Sequence, residues 1–488
     1  MLTSPVALIR EMERAAVASG TAEYELMLRA GVQAGRWIAA KYPDARRFAI
    51  LCGGGNNGGD ALVAARYLFD SAKELIVYST RSKQDFSGCA AMAAADLPEE
   101  IPFLVKDELG ENDFFPGDVI VDGILGIGFS GGKLRENAAS FIRAANRSSL
   151  PVVALDLPSG IDADSGDAAE NGAIKADLTL TFGRVKPGLF QSAGSFLRGT
   201  LRLIDIGLSG GNSGGMEIFT NLDAVEKVPR FPVDCHKNSR GRVLIWGGSP
   251  EYPGAAALST LAALKSGAGL VRCASSADLH GRVCNAAIVG KLASNEIPEE
   301  FIALSDVLVC GCGWGKSVSP QAVERALDFP GCVVLDADAL NFIAGTPEVW
   351  KRRDNIVITP HPGEAARLCA AWKIAFSGGR VEQAAALAEY SGAVTVLKGH
   401  DTVVAAPGKA PVIIAGGNAL LATAGSGDVL AGTIGALAAQ GVPAFDAASL
   451  GAYIHGIAAE DAGEILIADE LPALIARKIL QLQRNELV

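Results

Sequence analysis

The chain has 488 residues, a formal net charge of −11 and nine scattered cysteines. Its length exceeds one ordinary domain, and its acidic balance argues against nucleic acid as a partner. An odd number of unpaired cysteines suits reduced thiols in a cytoplasmic protein, not a disulfide framework. Cys310 and Cys312 form a C-x-C without a matching Cys/His pair, so no zinc site is expected there. Hydrophobic residues reach 49%, which fits a core-rich α/β protein. No apolar run approaches the ~20 residues of a spanning helix, and the opening residues lack the layout of a signal peptide, so no membrane contact is expected.

In chain order, apolar residues at helical spacing predict two helices over 5–18 and 22–41. Short β-branched runs follow at 48–52, 75–79, 119–121, 152–155 and 178–182, each leading into a helical stretch, with a last strand over 201–206. Strands this apolar, alternating with helices, predict a doubly wound parallel sheet covered on both faces. The polar, glycine-rich stretch Ser209–Gly215 reads as a linker. A second α/β series begins at Arg242 and continues through 307–310, 332–335, 356–359 and 394–397. Two domains are therefore expected, 1–214 and 215–488.

In the first domain, Gly53-Gly-Gly-Asn-Asn-Gly58 satisfies G-x-G-x-x-G between a strand and a helix expected over 61–69. An ordinary NAD domain would end its second strand in an acidic residue, whereas this one ends Tyr78-Ser-Thr-Arg81. The loop is therefore expected to hold phosphate in some other manner. Asp122 and Asp156 close two further strands. In open parallel sheets ligands bind at strand carboxyl ends, so Asn57, Asp122, Asp156 and Ser159 are expected to converge there, as oxygen ligands suited to a hard cation. The plainer reading is that both aspartates cap the loops they precede.

The segments Gly55-Asn-Asn-Gly-Gly-Asp60, Val121-Asp-Gly-Ile-Leu-Gly126 and Asp156-Leu-Pro-Ser-Gly160, with Leu26–Gly31, resemble the NAD(P)H-hydrate epimerase domain. The resemblance implies a Rossmann-like fold and interconversion of the R and S epimers of hydrated NADH or NADPH at C6. It implies potassium held by Asn57, Asp122 and Ser159. Substrate contacts would come from Asn56, Asn57, Gly58, Gly59 and Asp60, and from Gly126, Ile127, Gly128, Phe129, Ser130, Gly131 and Gly132. Asp156 would carry the proton traffic. Ala61 stands where that family usually has glycine.

In the second domain, Asn418–Gly432 places Asp428 directly behind small residues that open an apolar helix expected over 429–439. Glycines at 425 and 427 permit close approach to a ligand, and the helix start offers free N–H groups to an anion beside a base. That is the chemistry of phosphoryl transfer to an alcohol. Further polar clusters end successive strands: Gly247–Ala255, Gly311–Gly315, Asp336–Asn341, Thr359–Glu364 and Lys398–Thr402. Simpler uses exist for each: Asp428, Asp336, Asp338 and His361 as helix caps, and Lys398 as a solvated loop cation. No Walker A sequence lies near these sites.

Together these motifs resemble the ADP/ATP-dependent NAD(P)H-hydrate dehydratase domain of the ribokinase-like superfamily. The resemblance implies dehydration of the hydrated cofactor, NADHX or NADPHX, with ADP or ATP consumed and magnesium present. Asp428 matches the catalytic base. Gly427, Lys398, Gly399, His400, Asp401 and Thr402 match nucleotide contacts, and Ala255, Gly313, His361 and Asp428 match substrate contacts. Where the family usually reads Asn-Pro-Gly, this chain has Asn418-Ala-Leu420. The rival reading is a ribokinase-like vitamin or sugar kinase fused to a non-catalytic nucleotide-binding module. A homo-oligomer is expected from the apolar N-terminal helices.

Overall fold

The computed structural model describes all residues except 1, 72, 210–214, 293–296, 298, 316–317, 377–378, 464 and 487–488. Two compact units emerge, Leu2–Met216 and Glu217–Val488. The expected boundary at 214 lies outside the described residues.

The first unit holds seven strands: β1 (Arg47–Cys52), β2 (Glu74–Ser79), β3 (Phe103–Val105), β4 (Asp118–Gly123), β5 (Val152–Leu155), β6 (Leu178–Phe182) and β7 (Thr200–Ile204). All pair in parallel, in the order β3-β2-β1-β4-β5-β6-β7. The order reverses between β1 and β4, so the chain leaves opposite faces there and opens a crevice at the strand carboxyl ends. Strand alternation explains the two cores. Phe48, Ile50 and Cys52 of β1 enter one cluster with Leu62 and Leu68. Ala49 and Leu51 enter the other with Phe141 and Ile142. β3 was not expected from sequence: at three residues with an exposed edge, it lacks a buried apolar run.

In the second unit the strands are β8 (Glu217–Phe219), β9 (Arg242–Trp246), β10 (Leu270–Ser275), β11 (Ile288–Lys291), β12 (Val307–Cys310), β13 (Cys332–Leu335), β14 (Ile356–Ile358), β15 (Val394–Leu397), β16 (Thr402–Ala405) and β17 (Val412–Ile414). Their order is β11-β10-β9-β12-β13-β14-β15-β16-β17-β8. Only β16 runs antiparallel to its neighbours. Val243 and Ile245 of β9 pack with Ile434, Leu437 and Leu450 on one face. Leu244 and Trp246 pack with Val323, Leu327 and Leu368 on the other. Burying each large apolar side chain contributes about 1.5–3 kcal/mol. This packing seats the helix Ser426–Ala439 against the strands whose ends carry the polar clusters. Among the described residues, no helix is long and apolar enough to cross a membrane.

Candidate active sites

In the first unit the helix after β1 spans Asn56–Asp70, so Asn56, Asn57, Gly58, Gly59 and Asp60 form its opening turn. The start expected at 61 was five residues late, because paired Asn and Gly read as loop when propensity alone is weighed. Asn57 is buried, and its Nδ2 donates to the carbonyls of Leu125 (2.8 Å) and Leu155 (3.1 Å). Its Oδ1 is buried without a hydrogen-bond partner. Asp122 at the end of β4 accepts from Ser159 Oγ (2.6 Å), Ser159 N (2.8 Å) and Ile124 N (3.2 Å). Burial pushes its carboxyl up to about 6 against the pull of those bonds. Ser159 Oγ also lies 3.1 Å from the Leu125 carbonyl that Asn57 binds. An orphaned amide oxygen beside a hydroxyl and a buried carboxylate is an all-oxygen set that fits a hard cation such as potassium.

Asp156 follows β5 in a left-handed conformation, φ 67°. Its carboxylate pairs with the ammonium of Lys186, which also donates to Thr181 Oγ1 (3.1 Å) and the Phe182 carbonyl (2.9 Å). The amide of Phe182 donates to Asp156 Oδ1 (3.2 Å). Lys186 is 1% exposed and was not among the expected residues. Its available signal was a lone lysine three residues after the glycine that follows a strand, in Gly183-Arg-Val-Lys-Pro-Gly188. Asp60 and Glu13 complete the acidic wall. Burial and then the charge of Asp156 raise both carboxyls, Asp60 far above its usual range.

These groups line a cleft of about 1300 Å³, ample for a dinucleotide. Asn56, Asn57, Asp60, Gly126, Ile127, Gly128, Phe129, Asp156 and Lys186 lie on its walls. Ser130, Gly131 and Gly132 are not among the lining residues, nor are Gly58 and Gly59, where added side chains would meet Gly53 and Met27. Asp122 and Ser159 sit beneath the wall, not on it.

The second site gathers where β9, β12, β13, β14 and β15 end. The helix expected from 429 begins at Ser426, so Asp428 lies inside its first turn. Gly425 caps it at φ 92°, a conformation that penalises any residue with a Cβ. No side chain caps this end, leaving its amides available to an anion. Ser259 Oγ donates to the Asp428 carbonyl (2.9 Å). His455 Nε2 lies 3.0 Å from the Ser426 carbonyl, and burial lowers the ring's pKa to about 4.

Asp336, after β13, accepts from Lys398 Nζ at 2.6 Å. Burial opposes the Lys398 charge, yet Asp336 and Glu364 hold its pKa above the ordinary value. A Cβ on Gly427 would stand 3.2 Å from Lys398 Nζ and 3.5 Å from Asp336 Oδ2. Ligand atoms of Asp428, Asp336 and Cys312 lie within 4.8 Å of one another. Burial, then the charge of Asp336, pushes the Asp428 carboxyl up to about 6. Cys312 is held far above its usual range by burial and the two carboxylates, so it stays a thiol. With Asp336 engaged by an ammonium and Cys312 a soft neutral donor, these side chains do not build an oxygen cage for magnesium.

The other expected residues divide. Gly313 and Ala255 meet: a Cβ on Gly313 would fall 2.8 Å from that of Ala255. Lys398–Asp401 turn between β15 and β16, and Thr402 opens β16. Arg380, not anticipated, crosses this hairpin, donating to the Leu397 and Lys398 carbonyls (both 3.0 Å) over Gly399. His400 Nε2 is 3.8 Å from Asp401 Oδ2. His361 is a helix cap: its Nδ1 accepts from the amides of Gly363 (3.0 Å) and Glu364 (3.4 Å) while Glu364 returns a bond to its own amide (2.8 Å). Its ring is exposed, and Nε2 lies 3.4 Å from Oε1 of the buried Glu364. Glu364 is pushed up to about 7, chiefly by burial. Asp338 accepts from the Gly315 amide (2.9 Å), a bracing role. Ala419 and Leu420 sit in a short 3-10 turn capped by Asn418, which holds the bend without Pro-Gly.

Residues 243–481 match the family described as NAD(P)H-hydrate dehydratase, and residues 23–188 match YjeF-related protein N-terminus. The chain is 36% identical over 468 residues to the bifunctional NAD(P)H-hydrate repair enzyme Nnr of Coxiella burnetii, covering 93% of this chain and 94% of that one. It is 38% identical to the enzyme of that name from Escherichia coli K12, covering 93% and 88%. The second unit's fold is similar to that of a ribokinase-like superfamily protein from Enterococcus faecalis V583, with a TM-score of 0.51 and 24% identity over 56% of this chain and 99% of that one. Full-length identity at this level, with both halves matched in order, places the chain in the family of bifunctional NAD(P)H-hydrate repair enzymes.

Proposed function

We propose that the first unit interconverts the R and S epimers of hydrated NADH or NADPH, and that the second dehydrates the S epimer with ADP or ATP. The observation that carries the second half is Asp428: a carboxylate in the opening turn of a helix, with a pKa of about 6, one residue from Gly427, whose Cβ position lies 3.2 Å from the part-buried Lys398 ammonium. At neutral pH such a group is ionised yet basic enough to accept a hydroxyl proton.

Asp428 takes the proton of the C6 hydroxyl, and the oxygen attacks the terminal phosphorus of the nucleotide, displacing AMP from ADP or ADP from ATP. The new phosphate ester leaves C6 as the ring nitrogen's electron pair moves in. Loss of a C5 proton then restores the dihydropyridine. Lys398 and the amides of the Ser426–Ala439 helix neutralise phosphate charge, and positioning of this kind dominates phosphoryl transfer. Gly427 leaves room for the phosphates beside Lys398. Gly399, His400, Asp401 and Thr402 hold the nucleotide along the hairpin. Ala255, Gly313 and the exposed imidazole of His361 face the hydrated ring. Magnesium would arrive with the nucleotide.

In the first unit Asp156 and Lys186 exchange the proton at the C6 oxygen, and Asp60 supplies a neutral acid nearby. Asn57, Asp122 and Ser159 would hold potassium, which supplies a fixed positive charge beneath the cleft wall. The rival kinase reading loses its support, since both halves match the repair family in one chain.

Purified protein with potassium, magnesium and ADP or ATP, added to a mixture of both epimers, should restore the full dihydronicotinamide absorbance. Recovery of the S fraction alone would remove the epimerase assignment, and no recovery would remove both.

A further inference from the structure

In the epimerase cleft, one wall carries a cation that the mechanism leaves unused. β1 and β2 run in parallel register with Cys52 opposite Ser79, so Arg81 stands level with Gly54 of the phosphate loop. Its backbone is fixed twice: Ser79 Oγ donates to the Arg81 carbonyl (2.7 Å) and accepts from its amide (3.2 Å). The side chain folds over the loop, because a Cβ on Gly54 would come within 2.6 Å of Arg81 Nε. Arg81 lines the same cleft as Asp156 and Lys186. Among the described residues no carboxylate pairs with it; Asp85, the next acidic residue along the chain, is bonded to Ser82 Oγ (2.7 Å).

The sheet order supplies the direction of the ligand. With the crevice between β1 and β4, a dinucleotide crosses the loop after β1 with one ribose toward β2 and the other toward β4 and β5. The reacting ring belongs on the β5 side, where Asp156 and Lys186 sit, which directs the adenosine ribose to the end of β2. A carboxylate there selects a free 2′-hydroxyl, whereas a guanidinium accommodates a 2′-phosphate through a forked, charge-assisted pair. This chain has the guanidinium and lacks the carboxylate.

Resting on the reading of this cleft as the epimerase site, we propose that Arg81 recognises the 2′-phosphate of hydrated NADPH, and that the first unit therefore prefers the phosphorylated dinucleotide. The test compares full-length wild type and Arg81→Ala in two ways. In epimerisation assays, Arg81→Ala should raise the KM for hydrated NADPH at least about tenfold while hydrated NADH changes less than about twofold. Retained turnover of hydrated NADH also reports correct folding. By calorimetry, NADP+ should bind wild type more tightly than NAD+, and the variant should bind them alike. Equal losses for both hydrated cofactors would overturn the proposal and assign Arg81 to the shared pyrophosphate. Wild type that epimerises neither substrate would overturn the reading of the cleft itself, a distinct failure.

Discussion

Lys398 Nζ sits 2.6 Å from Asp336 Oδ1, and that contact sets the electrostatics around Asp428. Burial and then the charge of Asp336 raise the pKa of the base while Lys398 lowers it, leaving a carboxylate that titrates near 6. Ala337, held at φ 49° and ψ −114° immediately after Asp336, is a backbone conformation that costs about 1–3 kcal/mol and persists only where the surroundings enforce it.

Replacing Asp428 with Asn should remove the base without changing shape. Dehydration of the S epimer should fall by about 10²–10⁴-fold. Epimerisation, followed by chromatographic separation of R and S forms, should be unaffected. Loss of less than tenfold in dehydration would mean that some other group takes the proton.

The pH profile follows from the sign of the shift. Asp428 must be ionised to act, and its pKa is raised from the ordinary carboxylate value to about 6. Dehydratase kcat/KM should therefore be flat near neutrality and fall tenfold per unit below about pH 6. Asp336→Asn removes the charge that lifts the pKa and leaves Lys398 unpaired beside the base. The acid limb should move to lower pH. Cys312, a thiol throughout this range, should contribute no inflection.

Lys186 and Asp156 form a buried pair, so removing one partner strands a charge. Lys186→Met should destabilise the first unit by about 3–5 kcal/mol in denaturant titrations. It should also abolish epimerisation. A variant of unchanged stability would contradict the pairing.

The orphaned Asn57 Oδ1 makes the cation assignment measurable. Saturating potassium should stabilise the wild-type first unit by about 2–3 kcal/mol relative to tetramethylammonium. Asn57→Ala should lose most of that response in thermal unfolding. An identical response in both proteins would remove Asn57 from the ligand set.

Gly425 turns the chain into the catalytic helix at φ 92°, and a Cβ there would fall 2.5 Å from Leu258 Cδ1. Gly425→Ala should destabilise the second unit by about 1–3 kcal/mol and depress dehydration while leaving epimerisation intact. Chemical unfolding and the two separate assays would check it.

Much of this was legible in the chain. The apolar strands β1, β5, β6, β9, β12, β13 and β15 stood out because both faces are covered, and the polar residues ending them marked the carboxyl edge of each sheet. β8, β10, β11, β16 and β17 were not anticipated, although Pro407-Gly408 between β16 and β17 is a turn signal; these strands are short, three to six residues. The starts of the helices at Asn56 and Ser426 were misjudged because glycine and asparagine suggest loops, whereas here ligand approach and close packing override propensity. Lys186 and the Asp336–Lys398 contact could not be read, since each joins loops that only the sheet order brings together. Asp336 illustrates the difficulty: from sequence a cap was an equal alternative, and the lysine that decides the matter lies 62 positions away.

β8 carries a practical consequence. The first strand of the second unit, Glu217–Phe219, pairs with β17 and closes the flank of a ten-stranded sheet. Excising the dehydratase by starting at Arg242, where its recognisable motifs begin, would strip that flank and leave the backbone of Val412–Ile414 bare. Such a fragment would invite self-templating through open amides and carbonyls, so a soluble excised form needs the short segment that looks, on paper, like the tail of a linker.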